Sequence, residues 1–315
     1  MSLRYTDYTS LLREQLNGRI QKISINAGFT CPNRDGTLGF GGCTYCNNQS
    51  FNPDYCKPSK SVTEQLEEGI RFFRKKHEEQ KYIAYFQAYT NTYAPLDALL
   101  NLYEEALQYP DVVGIAVGTR PDCVNDDLLN YFEERSHSRY IIVEYGVEST
   151  RNVTLQFIHR GHTFEQAEEA IHATAQRNIF TAAHLIIGLP HETYETWLQH
   201  AMTLSQLPIS VLKLHQLQII RGTAMAKQYE QHPEWFHLTT IENYIDVVID
   251  FLELLSPSIA IERFASQSPH ALLIAPDWRT KNHEFVVKLQ RRMEERNTFQ
   301  GKKWQPNAVI HSFGK

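Results

Sequence analysis

Short apolar runs alternate with longer amphipathic segments along most of this chain. Six runs have the length and the Val, Ile and aromatic content of buried β-strands: Ile20–Ala27, Tyr82–Tyr89, Val112–Gly118, Tyr140–Val147, Thr181–Leu189 and Val211–Ile219. Each run is followed by a segment with helical spacing of apolar positions: from Ser61, Leu96–Leu107, Asp126–Glu134, Thr163–Gln176, Glu192–Leu207 and about Ile241–Leu255. Ser61 and Glu64 have the spacing of a capping box at the start of the first of these helices. The alternation predicts parallel strands joined by right-handed helical crossovers.

The pattern alone does not decide how the sheet closes, because a doubly wound sheet, a closed barrel and an open barrel all share it. A seventh apolar run, Ile259–Phe264, can add another strand, and a helix is predicted over Phe285–Arg296. No linker-like or low-complexity segment separates the repeats. The simplest division is an α/β domain over residues 1–255 and a C-terminal extension over residues 256–315 that packs on it.

Composition and charge narrow the functional classes. The 315 residues are 42% hydrophobic, which is ample for a core, and the net charge of −5 gives no overall attraction to nucleic acid. No run of about 18 apolar residues is present, so no membrane span is expected. The first residues lack the apolar stretch of a signal peptide. Five cysteines, three of them clustered, do not resemble a disulfide framework, and we expect a cytoplasmic protein.

Cys31, Cys43 and Cys46 lie in a glycine-rich loop directly after the first predicted strand. Three thiolates can bind three irons of a cubane iron–sulfur cluster and leave the fourth iron open for chemistry. Cys56 follows ten residues after Cys46, so four thiolates could instead form a closed structural zinc site. Cys123 is interpreted as a plain thiol, since free cysteine often packs as a small hydrophobe.

Polar and charged residues gather near the carboxyl ends of the other predicted strands, where parallel sheets bind ligands. Strand periodicity puts Glu144 and Glu148 on one face of the fourth strand, opposite its valines. Carboxylates inside a parallel strand are costly to bury without a partner. The sequence therefore predicts a ligand cavity at these strand ends, although internal ion pairs of the two glutamates with Lys213 or Arg160 are an alternative.

In these residues the chain resembles the radical S-adenosylmethionine (SAM) superfamily, and more closely the YhcC/YtqA-type proteins and the radical domain of the Elongator catalytic subunit. The superfamily usually spaces its cysteines CxxxCxxC, whereas eleven residues separate Cys31 from Cys43 here, as is typical of the Elongator-like group. Further matching segments are Thr119–Asp122, Glu144–Ser149, Arg160–Thr163, Gly188–Pro190 and Arg221–Thr223. The matches run from about residue 20 to residue 225. The Elongator acetyltransferase domain has no counterpart.

The resemblance implies an open (β/α)6 partial TIM-type barrel and a radical SAM enzyme. Cys31, Cys43 and Cys46 would hold a [4Fe–4S] cluster, and Tyr45 would pack beside it. SAM would bind the open iron and be cleaved reductively to a 5′-deoxyadenosyl radical that abstracts hydrogen from a substrate. An electron donor such as flavodoxin or ferredoxin is implied. The residues that act on the substrate itself remain unknown.

The resemblance also implies positions for SAM along two strands. The end of the second strand, Gln87, Ala88 and Tyr89, is expected to hold the SAM amino group through backbone carbonyls, although the family's Gly-Gly-Glu motif is missing there. Gly188 would let the adenine approach the backbone of the fifth strand closely. These expectations come from the family and not from the spacing of the residues.

Charged residues would contact the remaining polar groups of SAM. Glu144 or Glu148 is expected to accept hydrogen bonds from the ribose hydroxyls. Arg120 or Arg160 is expected to pair with the SAM carboxylate, because an arginine fork suits that geometry.

The substrate is constrained only by analogy. Similarity to the Elongator group points to tRNA, at the C5 substituent of a wobble uridine. Residues 281–303 carry seven Lys or Arg against three Glu, and Trp304 follows them. An alternative function is therefore a non-catalytic, zinc-stabilised RNA-binding module that uses this basic segment.

Overall fold

The structure, a computed structural model, describes residues 3–48, 52–74 and 80–306. Its strands are β1 Ile20–Ile25, β2 Lys81–Phe86, β3 Val112–Thr119, β4 Tyr140–Glu148, β5 Phe180–Ile187, β6 Val211–Gln216, β7 Ile219–Ile220, β8 Ala260–Arg263 and β9 Leu273–Ala275. Its α-helices are α1 Tyr8–Gln15, α2 Val62–Arg74, α3 Leu96–Leu107, α4 Asp126–Ser136, α5 Asn152–Phe157, α6 Phe164–Ala175, α7 Tyr194–Leu204, α8 Ala224–Gln231, α9 Ile241–Leu254 and α10 Asn282–Glu295.

One parallel sheet carries the fold. Seven strands lie in the order β1-β2-β3-β4-β5-β6-β8, and every neighbouring pair is parallel. Lys22 on edge strand β1 contacts Glu262 on the opposite edge strand β8, with Nζ and Oε2 2.6 Å apart. The sheet is therefore curled into an open half-barrel, which confirms the predicted partial TIM-type architecture. β7 and β9 form a separate antiparallel pair beside it.

The central strands of the sheet bury both of their faces. All nine residues of β4 are buried, as expected of a strand covered by helices on one side and by the barrel interior on the other. Ile141 and Val143 belong to the large apolar core between sheet and helices. Tyr140 and Ile142 belong to a smaller cluster inside the barrel. The near-continuous apolar runs of the sequence follow from this double burial.

Helix α1 closes the amino-terminal end of the barrel. Tyr8 and Leu12 pack in the interior cluster, and the Tyr8 hydroxyl lies 3.0 Å from the hydroxyl of Tyr140, the first residue of β4. The Asp7 carboxylate caps the helix by accepting from the Ser10 amide at 2.8 Å. Because this end is filled, the space for a ligand lies at the carboxyl end of the strands.

The structure confirms the order of the predicted strands and helices, with shifts at their ends. The predicted sixth strand ends at Gln216, and Ile219 belongs to β7 instead. The elements α1, α5, α8, β7 and β9 were not predicted. The predicted capping box forms, since the Glu64 carboxylate accepts from the Ser61 amide at 2.7 Å. The second strand ends at Phe86, three residues earlier than predicted. The seventh apolar run is β8, so the segment after residue 255 contributes a strand to the sheet. The division at residue 255 stays a prediction, and residues 307–315 of the extension lie outside the described chain.

In the described part of the chain, no helix combines the length and apolarity that crossing a bilayer requires.

Candidate functional site

A cavity opens at the carboxyl end of the barrel, with about 1400 Å³ of space that is partly open to solvent. Ten of the residues predicted from the sequence line it: Cys31, Cys43, Tyr45, Cys46, Gln87, Tyr89, Arg120, Glu144, Glu148 and Arg160. Ala88 is fully buried and does not line it. Gly188 lines a smaller neighbouring cavity, and Leu217 separates the two by lining both.

The cysteine loop after β1 is held by short backbone bonds. The Arg34 amide donates to the Cys31 carbonyl at 2.8 Å, and the Cys46 amide donates to the Cys43 carbonyl at 3.0 Å. Gly42 has a φ of +82°, and a Cβ there would lie 2.8 Å from Arg34 Nε. The glycine therefore lets the loop turn back under the Arg34 side chain, so that all three thiols reach one cavity.

Two nitrogen donors point at the sulfur of Cys43. Asn33 Nδ2 and Arg160 Nη1 each lie 3.6 Å from Cys43 Sγ. Asn33 Nδ2 also donates to the carbonyl of Arg160 at 3.1 Å, which ties the cysteine loop to the turn before α6. Such N–H···S contacts stabilise a thiolate and tune a cluster that it binds.

The two predicted arginines differ in how fully they are engaged. Arg120 donates through Nε and Nη2 to Asp122, at 2.9 and 2.8 Å, and through Nη1 to the Arg160 carbonyl at 2.6 Å. Arg160 donates through Nη2 to the Gly146 carbonyl at 2.6 Å, while its Nε is buried without a partner among the described residues. Gly146 permits this approach, since a Cβ there would lie 2.3 Å from Arg160 Nη2.

Glu148 and Tyr45 face Arg160 across the cavity. Glu148 ends β4 in the left-handed region, with a φ of +67°, and its Oε1 lies 3.7 Å from Arg160 Nη2. Burial, with the neighbouring Glu148 charge, raises the pKa of the Tyr45 phenol well above 10. Tyr45 is therefore neutral and lies beside the cysteines, as the family resemblance implies.

Glu144 belongs to a group of four charged residues inside the barrel, which we call the interior ion network: Lys22, Glu144, Lys213 and Glu262. Lys22 Nζ lies 2.8 Å from Glu144 and 2.6 Å from Glu262, and Lys213 Nζ lies 2.6 Å from Glu144 and 3.2 Å from Glu262. Burial alone would raise the pKa of Glu144, but the two ammonium groups hold it well below 4.5. The internal ion pairing that the sequence left open for Glu144 therefore forms.

His184 and Tyr85 complete the surroundings of Glu144. His184 Nε2 lies 3.1 Å from Glu144 Oε2, and Lys213 Nζ lies 3.3 Å from the Tyr85 hydroxyl. Both Glu144 oxygens thus have partners, Oε1 in Lys22 and Oε2 in Lys213 and His184.

Sequence reasoning did not identify Lys22, Glu262 or Arg34 as parts of this site. Lys22 and Glu144 are 122 residues apart, and Lys22 and Glu262 are 240 apart, so no local pattern joins them. One feature of the sequence could have indicated Lys22: a lysine stands in the middle of the strand-like run of β1, at a position whose side chain points into the barrel. Arg34 lies inside the cysteine loop and donates to the Cys46 carbonyl at 3.1 Å.

The donor set fits a cluster better than a single zinc ion. Cys56 donates its thiol to the Ser24 carbonyl at 2.9 Å and does not line the cavity with the other three cysteines. Within residues 3–48, 52–74 and 80–306, no three His, Cys, Asp or Glu side chains are arranged to hold one metal ion. A zinc ion needs its sulfurs within about 2.3 Å of one centre, whereas a cluster spreads its thiolates over different irons. Together with the unpartnered Nε of Arg160, this arrangement fits a [4Fe–4S] cluster and its ligand.

The basic C-terminal segment is largely neutralised within the fold. Helix α9 carries acidic residues that face it, and the ion pairs are Lys288–Glu242, Arg292–Asp246, Arg296–Asp250 and Lys303–Glu253. A surface whose cations already have acidic partners offers little net charge for phosphates. The segment therefore does not strengthen the RNA-binding alternative.

Family comparisons cover most of the chain. A family model described as the Radical SAM superfamily matches residues 26–204, and one described as the Radical_SAM C-terminal domain matches residues 209–295. The chain is 33% identical over 302 residues to the uncharacterized protein YtqA of Bacillus subtilis (strain 168), covering 96% of this chain and 93% of that protein. It is 32% identical over 299 residues to protein YhcC of Escherichia coli (strain K12), covering 94% and 95%.

A solved structure extends the comparison to the fold. The archaeal Methanocaldococcus infernus Elp3 with an N-terminal deletion matches with a TM-score of 0.66 and 16% identity over 89% of this chain. This chain spans 64% of that chain's length. At that identity the match shows a shared fold. The relatives and this fold together confirm the resemblance inferred from the sequence.

Lys213→Met is expected to lower the free energy of unfolding by about 3–5 kcal/mol, because it leaves the buried Glu144 and Glu262 charges short of a cation. Lys288→Met is the matched control, since its exposed pair with Glu242 is worth about 0–1 kcal/mol. Adding Glu144→Gln to Lys213→Met should restore part of the loss. Urea unfolding of the four proteins measures this, and equal midpoints for the two single variants would show that the network contributes nothing.

Proposed function

This chain belongs to the radical SAM superfamily, and we propose that it cleaves SAM reductively with a [4Fe–4S] cluster bound to Cys31, Cys43 and Cys46. The observation that carries the proposal is the convergence of these three cysteines on one open cavity at the carboxyl end of the barrel. When bound, the cluster supplies the electron that breaks the sulfonium C–S bond of SAM, giving methionine and a 5′-deoxyadenosyl radical that takes a hydrogen atom from the substrate. A flavodoxin or ferredoxin is the proposed electron donor.

Arg160 is the better candidate of the two arginines for the SAM carboxylate. All three guanidinium nitrogens of Arg120 already donate: Nε and Nη2 donate to Asp122, and Nη1 donates to the Arg160 carbonyl. The Nε of Arg160 is buried and unpartnered in the described chain, beside the cysteine loop. A buried donor without a partner is costly, and a carboxylate accepting from it would remove that cost.

Glu148 is the better candidate of the two glutamates for the ribose hydroxyls. Both oxygens of Glu144 are engaged in the interior ion network and by His184. Glu148 lines the same cavity, and among the described residues its one ion pair is the 3.7 Å contact with Arg160. Its carboxylate therefore retains lone pairs that can accept from a diol.

The end of β2 supports the expected contact with the SAM amino group. Gln87 and Tyr89 line the cavity on either side of buried Ala88, and Tyr89 adopts a positive φ of +63°. The turn interrupts the strand ladder and leaves carbonyls of this segment available as acceptors. Gly188 lies behind Leu217, so its predicted contact with adenine depends on how that leucine packs.

We further propose that the substrate is a tRNA, at the C5 substituent of a wobble uridine. The support is the long cysteine spacing shared with the Elongator-like group. Radical chemistry suits such a target because the carbon is unactivated for polar attack. The zinc-stabilised alternative has less support, since Cys56 is turned away from the other three cysteines.

Anaerobic reconstitution with iron and sulfide, followed by a dithionite-driven assay, tests SAM cleavage. Wild type should form 5′-deoxyadenosine, and Cys43→Ala should lower that rate by more than about 100-fold, the upper range for losing a supporting group of a metal site. Cys56→Ala should keep the wild-type rate, because Cys56 lies outside the cavity. Wild-type protein that binds stoichiometric zinc and no iron would contradict the proposal.

The tRNA proposal is tested by incubating wild type, SAM and reductant with total tRNA and analysing the nucleosides by mass spectrometry. A wobble uridine with an altered C5 substituent should appear with wild type and be absent with Cys43→Ala. An unchanged nucleoside profile, in a reaction that does consume SAM, would exclude this substrate.

A further inference from the structure

At the β8 end of the barrel, one cation lines the cavity without a countercharge among the described residues. Lys22 and Lys213 are matched by Glu144 and Glu262, so the interior ion network is neutral as a whole. Arg263, the last residue of β8, lines the same cavity. In the part of the chain that the structure describes, its guanidinium makes neither an ion pair nor a hydrogen bond. A partly buried cation without a partner is costly unless a ligand supplies the countercharge.

The neighbours of Arg263 are polar and fixed in position. Gln216 donates to the Ser266 carbonyl at 2.8 Å and accepts from the Ser266 amide at 2.6 Å, which fastens the loop after β8 to the end of β6. His215 is hydrogen-bonded to Ser266 through Nδ1, and its Nε2 is buried without a partner among the described residues. Arg263 and His215 both line the cavity, and the Gln216–Ser266 hydrogen bonds join the segments that carry them.

The surroundings of His215 keep its imidazole uncharged. Burial, the neighbouring His184 and the charge of Arg263 together lower the pKa of His215 well below 6.5. The imidazole is therefore neutral at pH 7 and adds no charge of its own. The uncompensated charge at this end of the cavity is the single charge of Arg263.

Arg263 is separate from the arginines of the cysteine loop. Arg34 contacts the Cys46 carbonyl, Arg160 contacts the Cys43 sulfur, and Arg120 contacts the Arg160 carbonyl. Arg263 forms no ion pair or side-chain hydrogen bond with the described residues of that loop, and it lies opposite Lys213 in the β6–β8 register. The cavity therefore has one cationic end at the cysteine loop and a second at β8.

We propose that Arg263 determines substrate specificity by binding a carboxylate group of the substrate, with the Nε2 of His215 as a second contact. The proposal rests on the proposed function in that the substrate occupies this cavity. One uncompensated charge matches one monoanion, whereas a phosphate monoester would leave an extra negative charge buried. A guanidinium can also donate two parallel hydrogen bonds to a carboxylate, which fixes the orientation of the group.

The test measures acetate binding to the reconstituted, SAM-loaded holoenzyme by saturation-transfer NMR, with dimethyl phosphate as the competing class of monoanion. Bound SAM would occupy Arg160, while Arg120 and Arg34 already donate to Asp122 and to the Cys46 carbonyl, so acetate reports on the β8 end. The variants are Arg263→Gln, Arg263→Lys and the matched control Arg291→Gln, whose side chain is exposed on α10. Dithionite-driven SAM cleavage by wild type is followed in separate aliquots of the same preparation, because cleavage consumes the SAM that the binding samples need.

Wild type and Arg291→Gln should bind acetate saturably and in preference to dimethyl phosphate. Arg263→Gln should weaken acetate binding by about tenfold or more, and Arg263→Lys should fall between, because lysine keeps the charge but not the fork. Equal acetate affinity of wild type and Arg263→Gln, or preferential binding of dimethyl phosphate through Arg263, would overturn the proposal. Failure of wild type to cleave SAM would contradict the proposed function. The comparison of acetate binding by wild type and Arg263→Gln would still decide the role of Arg263.

Discussion

Two lysines and two glutamates are buried inside the open barrel and join its two edge strands to its middle. Lys22 on β1 and Glu262 on β8 meet across the gap between the two edge strands, which are not hydrogen-bonded to each other in the described sheet. Glu144 on β4 and Lys213 on β6 connect this contact to the middle of the sheet. Burying four charges costs several kcal/mol for each ion, and only the close pairing offsets that cost. The network therefore holds the curvature of the sheet without a closing strand.

The same network determines which polar groups remain available to a ligand. It uses both oxygens of Glu144, and it leaves Glu148, four residues further along β4, to face the cavity. It pairs Lys22 and Lys213 with Glu144 and Glu262, so that neither carboxylate forms an ion pair with Arg263 at the end of β8. The cysteine loop supplies the opposite end of the cavity, where Arg160 contacts Cys43 and keeps a buried donor without a partner in the described chain. Both ends of the cavity thus carry an arginine, Arg160 at the cysteine loop and Arg263 at β8.

The sequence predicted the sheet well because its strands are buried on both faces and appear as continuous apolar runs. It predicted the cysteine loop and Arg160 as parts of one site because these lie at strand ends or in a family motif. It missed α1, whose buried residues are only Tyr8 and Leu12 and give a weak helical pattern. It could not assign the partners of Glu144, since a strand pattern gives the face of a residue but not the distant strand that meets it.

The central claim is that Cys31, Cys43 and Cys46 bind three irons of a cubane cluster and leave the fourth open to SAM. The most direct measurement is electron paramagnetic resonance of the reconstituted, dithionite-reduced protein with and without SAM. We expect the signal of a reduced [4Fe–4S] cluster whose g values shift when SAM is added. An iron-loaded protein whose spectrum is identical with and without SAM would show that no iron is open to SAM, and would contradict this assignment of the three cysteines.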